Sequence, residues 1–266
     1  MTILDEHPAL LDAFRGEMTP KFLATRSPDG VPNVVPVVSL QPADDQPDIV
    51  FFGNFLLRKT IRNLEQDPRV GILVITPSLR GWILTGDFLE FQRSGPYVER
   101  QMSGSLLRYN AYTGIRNAGV IRLRSISGEF TIPRLKVLFD FLLGRLAGLG
   151  SRAGKSPGIE VPLATRREFG RMTAVKVLAW IGEHGYPTVV PCLSLQPSGH
   201  RALAGWRAPH GLPMPPAGAR ASANLLTLGA VSYQAKGRWT EGRLSGSLQV
   251  EEVYAGGPPL PGGRVA

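Results

Sequence analysis

Residues 30–42 read GVPNVVPVVSLQP, and residues 185–197 read GYPTVVPCLSLQP. Nine of the thirteen positions are identical at a constant offset of 155. Coincidence does not produce such a match, and self-similarity at one long offset marks two copies of one structural unit. Weaker correspondences extend the pairing: Leu23-Ala24 with Leu178-Ala179, Asn63-Leu64 with Asn224-Leu225, and Thr85-Gly86 with Ser245-Gly246. The chain therefore reads as a tandem, with similar units near residues 18–98 and 170–256.

Around the first copy the signals are those of an antiparallel sheet. Phe22 to Thr25 and Asn33 to Leu40 are apolar strand runs, and Ser27-Pro28-Asp29-Gly30 between them has turn chemistry. Asp48 to Phe52, Val70 to Ile75 and Gly81 to Phe91 add three more strands. Strand after strand with one short helix between them predicts a compact antiparallel barrel. Residues 2–17 read as a short helix ahead of it.

The one internal helix begins at a basic cluster. Phe51 to Ile75, FFGNFLLRKTIRNLEQDPRVGILVI, runs from strand end through a glycine turn to Arg58-Lys59-Thr60, then to a strand. The helix stops near Asp67-Pro68, because the residue before a proline disfavours the helical region. A helix start offers unpaired amides and a partial positive charge, and Arg, Lys and Thr add a fork, a point charge and a hydroxyl. Together these are the parts of a phosphate site, although a bare basic pair is also what a solvated helix start looks like. Pro36 cannot donate to a sheet ladder, which puts its strand at an edge or a split.

Bulk properties narrow the function classes. The chain has 266 residues, 43% hydrophobic and 19% charged, with a formal net charge of +9. The charge suits an anionic ligand, yet no nucleic-acid motif is present and no nucleic-acid partner is expected. The single cysteine, Cys192, rules out an internal disulfide and fits a reducing cytoplasm, where the protein is expected to work. His7, His184, His200 and His210 lie in no metal-ligand spacing. No G-x-S-x-G elbow or phosphate-binding glycine loop occurs. There is no leader-like start and no apolar run long enough to span a bilayer, so no membrane partner is expected.

Between the units, Pro133 opens a helix whose Leu135, Leu138, Phe139, Leu142, Leu146 and Leu149 recur at helical spacing. A basic amphipathic helix can lie on a membrane, but here the expectation is that this stripe packs across the two units. The domain reading is a first barrel with the phosphate motif at 1–98, a helical linker at 99–169, and a second, degenerate barrel with a tail at 170–266.

The succession LATRSPDGVPNVVPVVSLQP, FFGN, RKTIRNLEQDPRVGILV and GWILTGD resembles the FMN-binding split-barrel family, whose members include pyridoxamine 5'-phosphate oxidase. The likeness covers residues 20–92 well and 174–250 more loosely. It implies a mainly β fold with some α: two antiparallel split β-barrels in tandem, joined by a helical linker. It implies that flavin lies between paired barrels, so that one chain forms an intrachain pseudo-dimer, with a further homodimer open. In the resemblance Val35, Pro36 and Val37, with Phe52 and Gly53, hold the ring, and Arg58, Lys59 and Thr60 hold the phosphate. Many relatives have a serine before the basic pair, where this chain has Leu57.

With Asn63-Leu64 set against Asn224-Leu225, Arg58, Lys59 and Thr60 fall on Ala219, Arg220 and Ala221, and the second phosphate site reads as degenerate. The resemblance thus points to an FMN-dependent oxidoreductase that moves hydride or electrons to or from a small organic substrate, with a nicotinamide as a possible donor. No residue stands out as an acid or base, as expected when a cofactor carries the chemistry. The alternatives are a non-catalytic flavin store or sensor, a deazaflavin in place of FMN, or a haem-binding barrel with His200 or His210 as ligand.

Overall fold

In the computed structural model, the described residues are 3–17, 19–54, 57–103, 116–150, 158–206, 211–242, 245–256 and 262–266, with only the backbone at 147–150. Two antiparallel sheets form, one per unit. The first unit opens with helix α1 (Pro8–Arg15), whose Leu10, Ala13 and Phe14 are buried against the barrel. Strands β1 (Lys21–Arg26), β2 (Pro32–Pro36), β3 (Gln41–Pro42) and β4 (Ile49–Gly53) follow, then helix α2 (Arg58–Gln66), and then β5 (Arg69–Ile75) and β6 (Arg80–Gln92). Helix α3 (Pro96–Ser103), β7 (Ala118–Ile126) and the short β8 (Phe130–Thr131) complete the unit.

Helix α4 (Arg134–Gly150) leads to the second unit. There follow α5 (Leu163–Phe169), β9 (Val175–Ile181), β10 (Pro187–Pro191), β11 (Gln196–Ser198), β12 (Ala202–Trp206), β13 (Arg220–Leu226), β14 (Ser232–Glu241), β15 (Ser245–Ala255) and β16 (Gly263–Arg264). The sheets share one strand order. The first runs β2-β1-β5-β6-β7-β4-β3, and the second runs β10-β9-β13-β14-β15-β12-β11. The expected fold, tandem antiparallel split barrels, mainly β with some α, is the one observed.

The repeated turn behaves as its sequence dictates. Gly30 and Gly185 both have positive φ (72° and 76°), and their amides bond Ser27 O and Gly182 O at 2.9 Å. β2 is an edge strand and ends at Pro36, short of the expected Leu40. The chain turns there, with the Leu40 amide on Val37 O, and the buried Lys21 ammonium holds Val38 O at 3.3 Å. The second unit does the same with Lys176 on Leu193 O, at the same offset of 155.

Three expectations need correction. First, β7 is a central strand, paired to both β6 and β4, although it falls within the stretch read as linker. The first unit therefore runs past residue 98, and α3 is an insertion within it. Its nine residues, the first four of them buried, follow the long segment read as linker.

Second, the gapped correspondences shift. β1 pairs Ala24 with Gly71, and β9 pairs Ala179 with Ser222, so β13 is the counterpart of β5 and not of α2. Asn224 then matches Leu73, not Asn63. Thr85-Gly86 matches Lys236-Gly237, and each pair carries the same register shift. No α-helix stands between β12 and β13 among the described residues.

Third, α4 forms as expected, but Leu135, Leu138, Phe139, Leu142 and Leu146 face outward. Asp140, Phe141 and Gly144 are its buried positions, and it lies on β11 and β12. Helical spacing locates an apolar stripe but does not say which neighbour covers it. The side chain of Leu149 lies outside the described residues.

Each barrel has its own core. A third cluster joins them, built from Phe22, Ala24, Val34, Leu73 and Ile75 of the first unit and Val177, Ala179, Val189 and Leu193 of the second. The contact is reciprocal: β10 packs on β5 as β2 packs on β13. Gly71 is backed by the Pro187 carbonyl so closely that a Cβ could not be placed there. Among the described residues no helix is long and apolar enough to cross a membrane.

Candidate functional site

The start of α2 meets the second unit. Its N-cap residue, Leu57, gives no side-chain cap, which leaves the first amides of the helix open to an outside acceptor. Two buried bonds fix the helix to the sheet: Asn33 Nδ2 donates to Thr60 Oγ1 at 3.2 Å, and Asn63 Nδ2 donates to Thr25 Oγ1 at 3.0 Å. Thr60 therefore points into the barrel and anchors the helix. Arg58 is exposed and Lys59 is half-buried.

From the second unit, β14 and β15 bring Lys236, Glu252 and Tyr254 to the same place. Lys59 Nζ stands 3.9 Å from the centre of the Tyr254 ring, and Lys236 Nζ stands 5.7 Å from it. Tyr254 Oη donates to Glu252 Oε2 at 2.7 Å. β16 places Arg264 opposite Tyr254. Two ammonium groups around one ring are attracted by its face but repel each other.

Electrostatics follow from this crowding. Burial, and next the charge of Lys59, lower the Lys236 ammonium to about 7. Burial also lowers Lys59, against the pull of Glu252. Burial works against the Glu252 carboxylate, yet the Tyr254 hydroxyl and the two lysines hold it below its usual range. The Tyr254 hydroxyl is pushed up to about 12 by burial and by its bond to Glu252. A lysine this deep, beside a second one, is a poor arrangement in water-free surroundings unless an anion shares the space.

The ring-side residues are divided. Val37 lies in the first core and Phe52 is fully buried in it. The Gly53 amide already bonds Ser39 Oγ at 3.2 Å. Val35 and Pro36 remain half-buried on the edge strand. Next to them the Val34 carbonyl accepts from Asn224 Nδ2 (3.2 Å) and Gln234 Nε2 (2.7 Å) of the second unit. The geometry thus brings Lys59 to the seam between units, beside Tyr254, while Val35, Val37 and Phe52 pack on the first core and Thr60 is held inside by Asn33; Pro36 is half-buried on the edge strand and Arg58 is exposed. Trp82 is also core.

Sequence reading missed Asn224, Gln234, Lys236, Glu252 and Tyr254. One signal was available. Ser232, Gln234 and Lys236 put polar groups at every second position of one strand, and all three are buried.

Other reactive groups stand apart. His184 is exposed in its turn, His200 is exposed beside Glu160 (3.4 Å), and His210 lies outside the described residues. Burial pushes the Cys192 thiol up to about 12, so it is no nucleophile. No metal-binding group of His, Cys, Asp and Glu occurs among the described residues.

Residues 8–124 match the family model described as pyridoxamine 5'-phosphate oxidase. An uncharacterized protein of Methanocaldococcus jannaschii is 35% identical over 78 residues, 29% of this chain and 52% of that protein. The chain thus spans about half the length of this curated relative. Among solved structures, HupZ of Group A Streptococcus is 21% identical, with 48% of this chain and 100% of that one covered and a TM-score of 0.38. An FMN-binding protein from Syntrophomonas wolfei is 17% identical, with 50% and 88% covered and a TM-score of 0.40. The family match thus falls on the first unit, and the second unit repeats that unit's strand order.

Proposed function

We propose that the chain binds one FMN at the seam between its two units and works as an oxidoreductase on a small organic substrate. The observation that carries this is Lys236, buried in the second unit, set beside Lys59 at the open start of α2. A phosphate there would meet the helix amides, Arg58, Lys59 and Lys236. It would relieve the repulsion between the lysines and hold a proton on Lys236 Nζ. These residues fit the anionic end of such a cofactor without Thr60, whose hydroxyl is engaged by Asn33.

The flavin, when bound, supplies hydride or single-electron chemistry at its ring. The chain's own part is to bind and orient it and to exclude water. Val35 and Pro36 line the edge of the first barrel, and Asn224 and Gln234 pin the Val34 carbonyl so that this edge keeps its distance from the second. Glu252 and Tyr254, bonded to each other, form a polar wall beside the lysines.

A deazaflavin is the second reading. Arg62 and Arg264 both bear on Lys59, giving more cations than one phosphate requires, and a longer acidic tail would use them. The absorption spectrum of the purified protein, with mass spectrometry of whatever heat releases, separates the two. The expected result is FMN at one per chain. A colourless protein that takes up neither cofactor overturns the proposal. Reduction of the bound cofactor by a nicotinamide, then reoxidation by an acceptor, separates an enzyme from a flavin store or sensor.

A further inference from the structure

Helix α4 has seventeen residues, about 25 Å of length. One side is packed on β11 and β12 through Phe141 and the close approach at Gly144, where a Cβ would stand 3.3 Å from Ser194 O. The other side is bare. Leu135 is 82% exposed, Leu138 42%, Phe139 62%, Leu142 50% and Leu146 66%. At 100° per residue these five fall within about 100° of the helix circumference, one continuous stripe.

The charges around the stripe are of one sign. Arg134 and Arg145 are exposed along one margin and Lys136 lies along the other. The helix's single acid, Asp140, is turned inward and bonded by Lys136 at 3.1 Å. The exposures correspond to roughly 500 Å² of apolar surface, as large as the biggest patch of an ordinary monomer. That is short of the ~800 Å² per partner in a standard protein interface. Two copies would also bring together cationic margins on chains of net charge +9. A basic-edged apolar stripe on a helix lying flat on its domain matches the interface of an anionic bilayer.

We propose that α4 docks the protein on anionic membrane surfaces, with Leu135, Phe139, Leu142 and Leu146 entering the headgroup layer and Arg134 and Arg145 meeting lipid phosphates. This reverses the expectation of no membrane partner, which rested on the lack of a spanning segment and on this stripe packing across the two units. It does not depend on the cofactor reading.

The test is co-sedimentation of the full chain with vesicles of equimolar phosphatidylcholine and phosphatidylglycerol, against phosphatidylcholine alone. Binding is expected to the anionic vesicles, to weaken with added salt, and to fall at least about tenfold in the F139S/L142S variant. Flavin content and thermal midpoint should not change, since both side chains already face solvent. The R134E/R145E variant keeps the stripe and should also release the vesicles, which covers the case in which the serine variant aggregates. Wild-type chain left in the supernatant overturns the proposal, as does binding indifferent to either variant. A homodimer at sedimentation equilibrium that F139S/L142S dissociates would assign the stripe to a second copy and overturn it as well.

Discussion

The two units place different residues at matching positions. Thr85 and Ser125 of the first, joined by a 2.6 Å hydrogen bond, occupy the places of Lys236 and Glu252 in the second. Ser127 matches Tyr254. The Arg124–Asp87 ion pair has its counterpart in Arg238–Glu251, with the charges exchanged between strands. Leu73 and Ile83 stand where the second unit has Asn224 and Gln234, the amides that reach across to the Val34 carbonyl. The first unit has helix α2, and the described part of the second has no α-helix in its place. A duplicated barrel can thus divide the work: one copy presents a helix start, and the other presents charged strands to it.

The sharpest way to break this division is to remove both lysines. In K59A/K236M, FMN affinity should drop about 1,000-fold by isothermal titration, since each charge-assisted contact contributes roughly 1.5–3 kcal/mol. Unchanged affinity would separate the lysines from the cofactor. The single substitution Lys236→Met should weaken binding ~10–100-fold while raising the thermal midpoint of the cofactor-free chain, because it removes a buried charge.

The interface offers a paired test. Gly71→Ala pushes a Cβ into the Pro187 carbonyl and should cost about 2–3 kcal/mol in denaturant unfolding. Its counterpart Ser222→Ala, which deletes a buried hydroxyl with no hydrogen-bond partner, should change stability by less than about 0.5 kcal/mol or raise it. Equal costs would contradict the asymmetry of the seam.

The pH dependence is set by Lys236. Its folded value, about 7, lies below the ordinary 10.5, so the folded chain loses that proton first as pH rises. FMN affinity should be highest below about 7 and fall as pH rises through it. Stability without cofactor should rise between about 7 and 10.5. Lys236→Met should flatten the affinity profile but only reduce the stability slope, because Lys176 also sits at about 7. The smallest effect expected is that of Thr85→Lys: with no α-helix start opposite it among the described residues, flavin stoichiometry should stay at one. A second equivalent of bound flavin would show that the clefts are interchangeable.

Much of this was legible in the chain. A nine-of-thirteen repeat gave the tandem, and Pro36 gave the edge strand. Asp67-Pro68 gave the end of α2, whose observed last residue is Gln66. Local rules suffice there, because a proline or a positive-φ glycine acts within a few residues of itself. The gapped pairings failed because two-residue matches such as Asn-Leu carry too little information to fix a register, and only the strand ladder does so.

Sequence alone therefore determined two antiparallel barrels and the basic start of α2, since periodicity, turn chemistry and repeats are properties of neighbouring residues. Tertiary structure alone decided which side chains meet across the seam. It joined Lys59 to Lys236, 177 positions apart, turned Thr60 and Phe52 inward, and left the α4 stripe bare. Burial and opposition depend on what packs against each face, and no local pattern contains that.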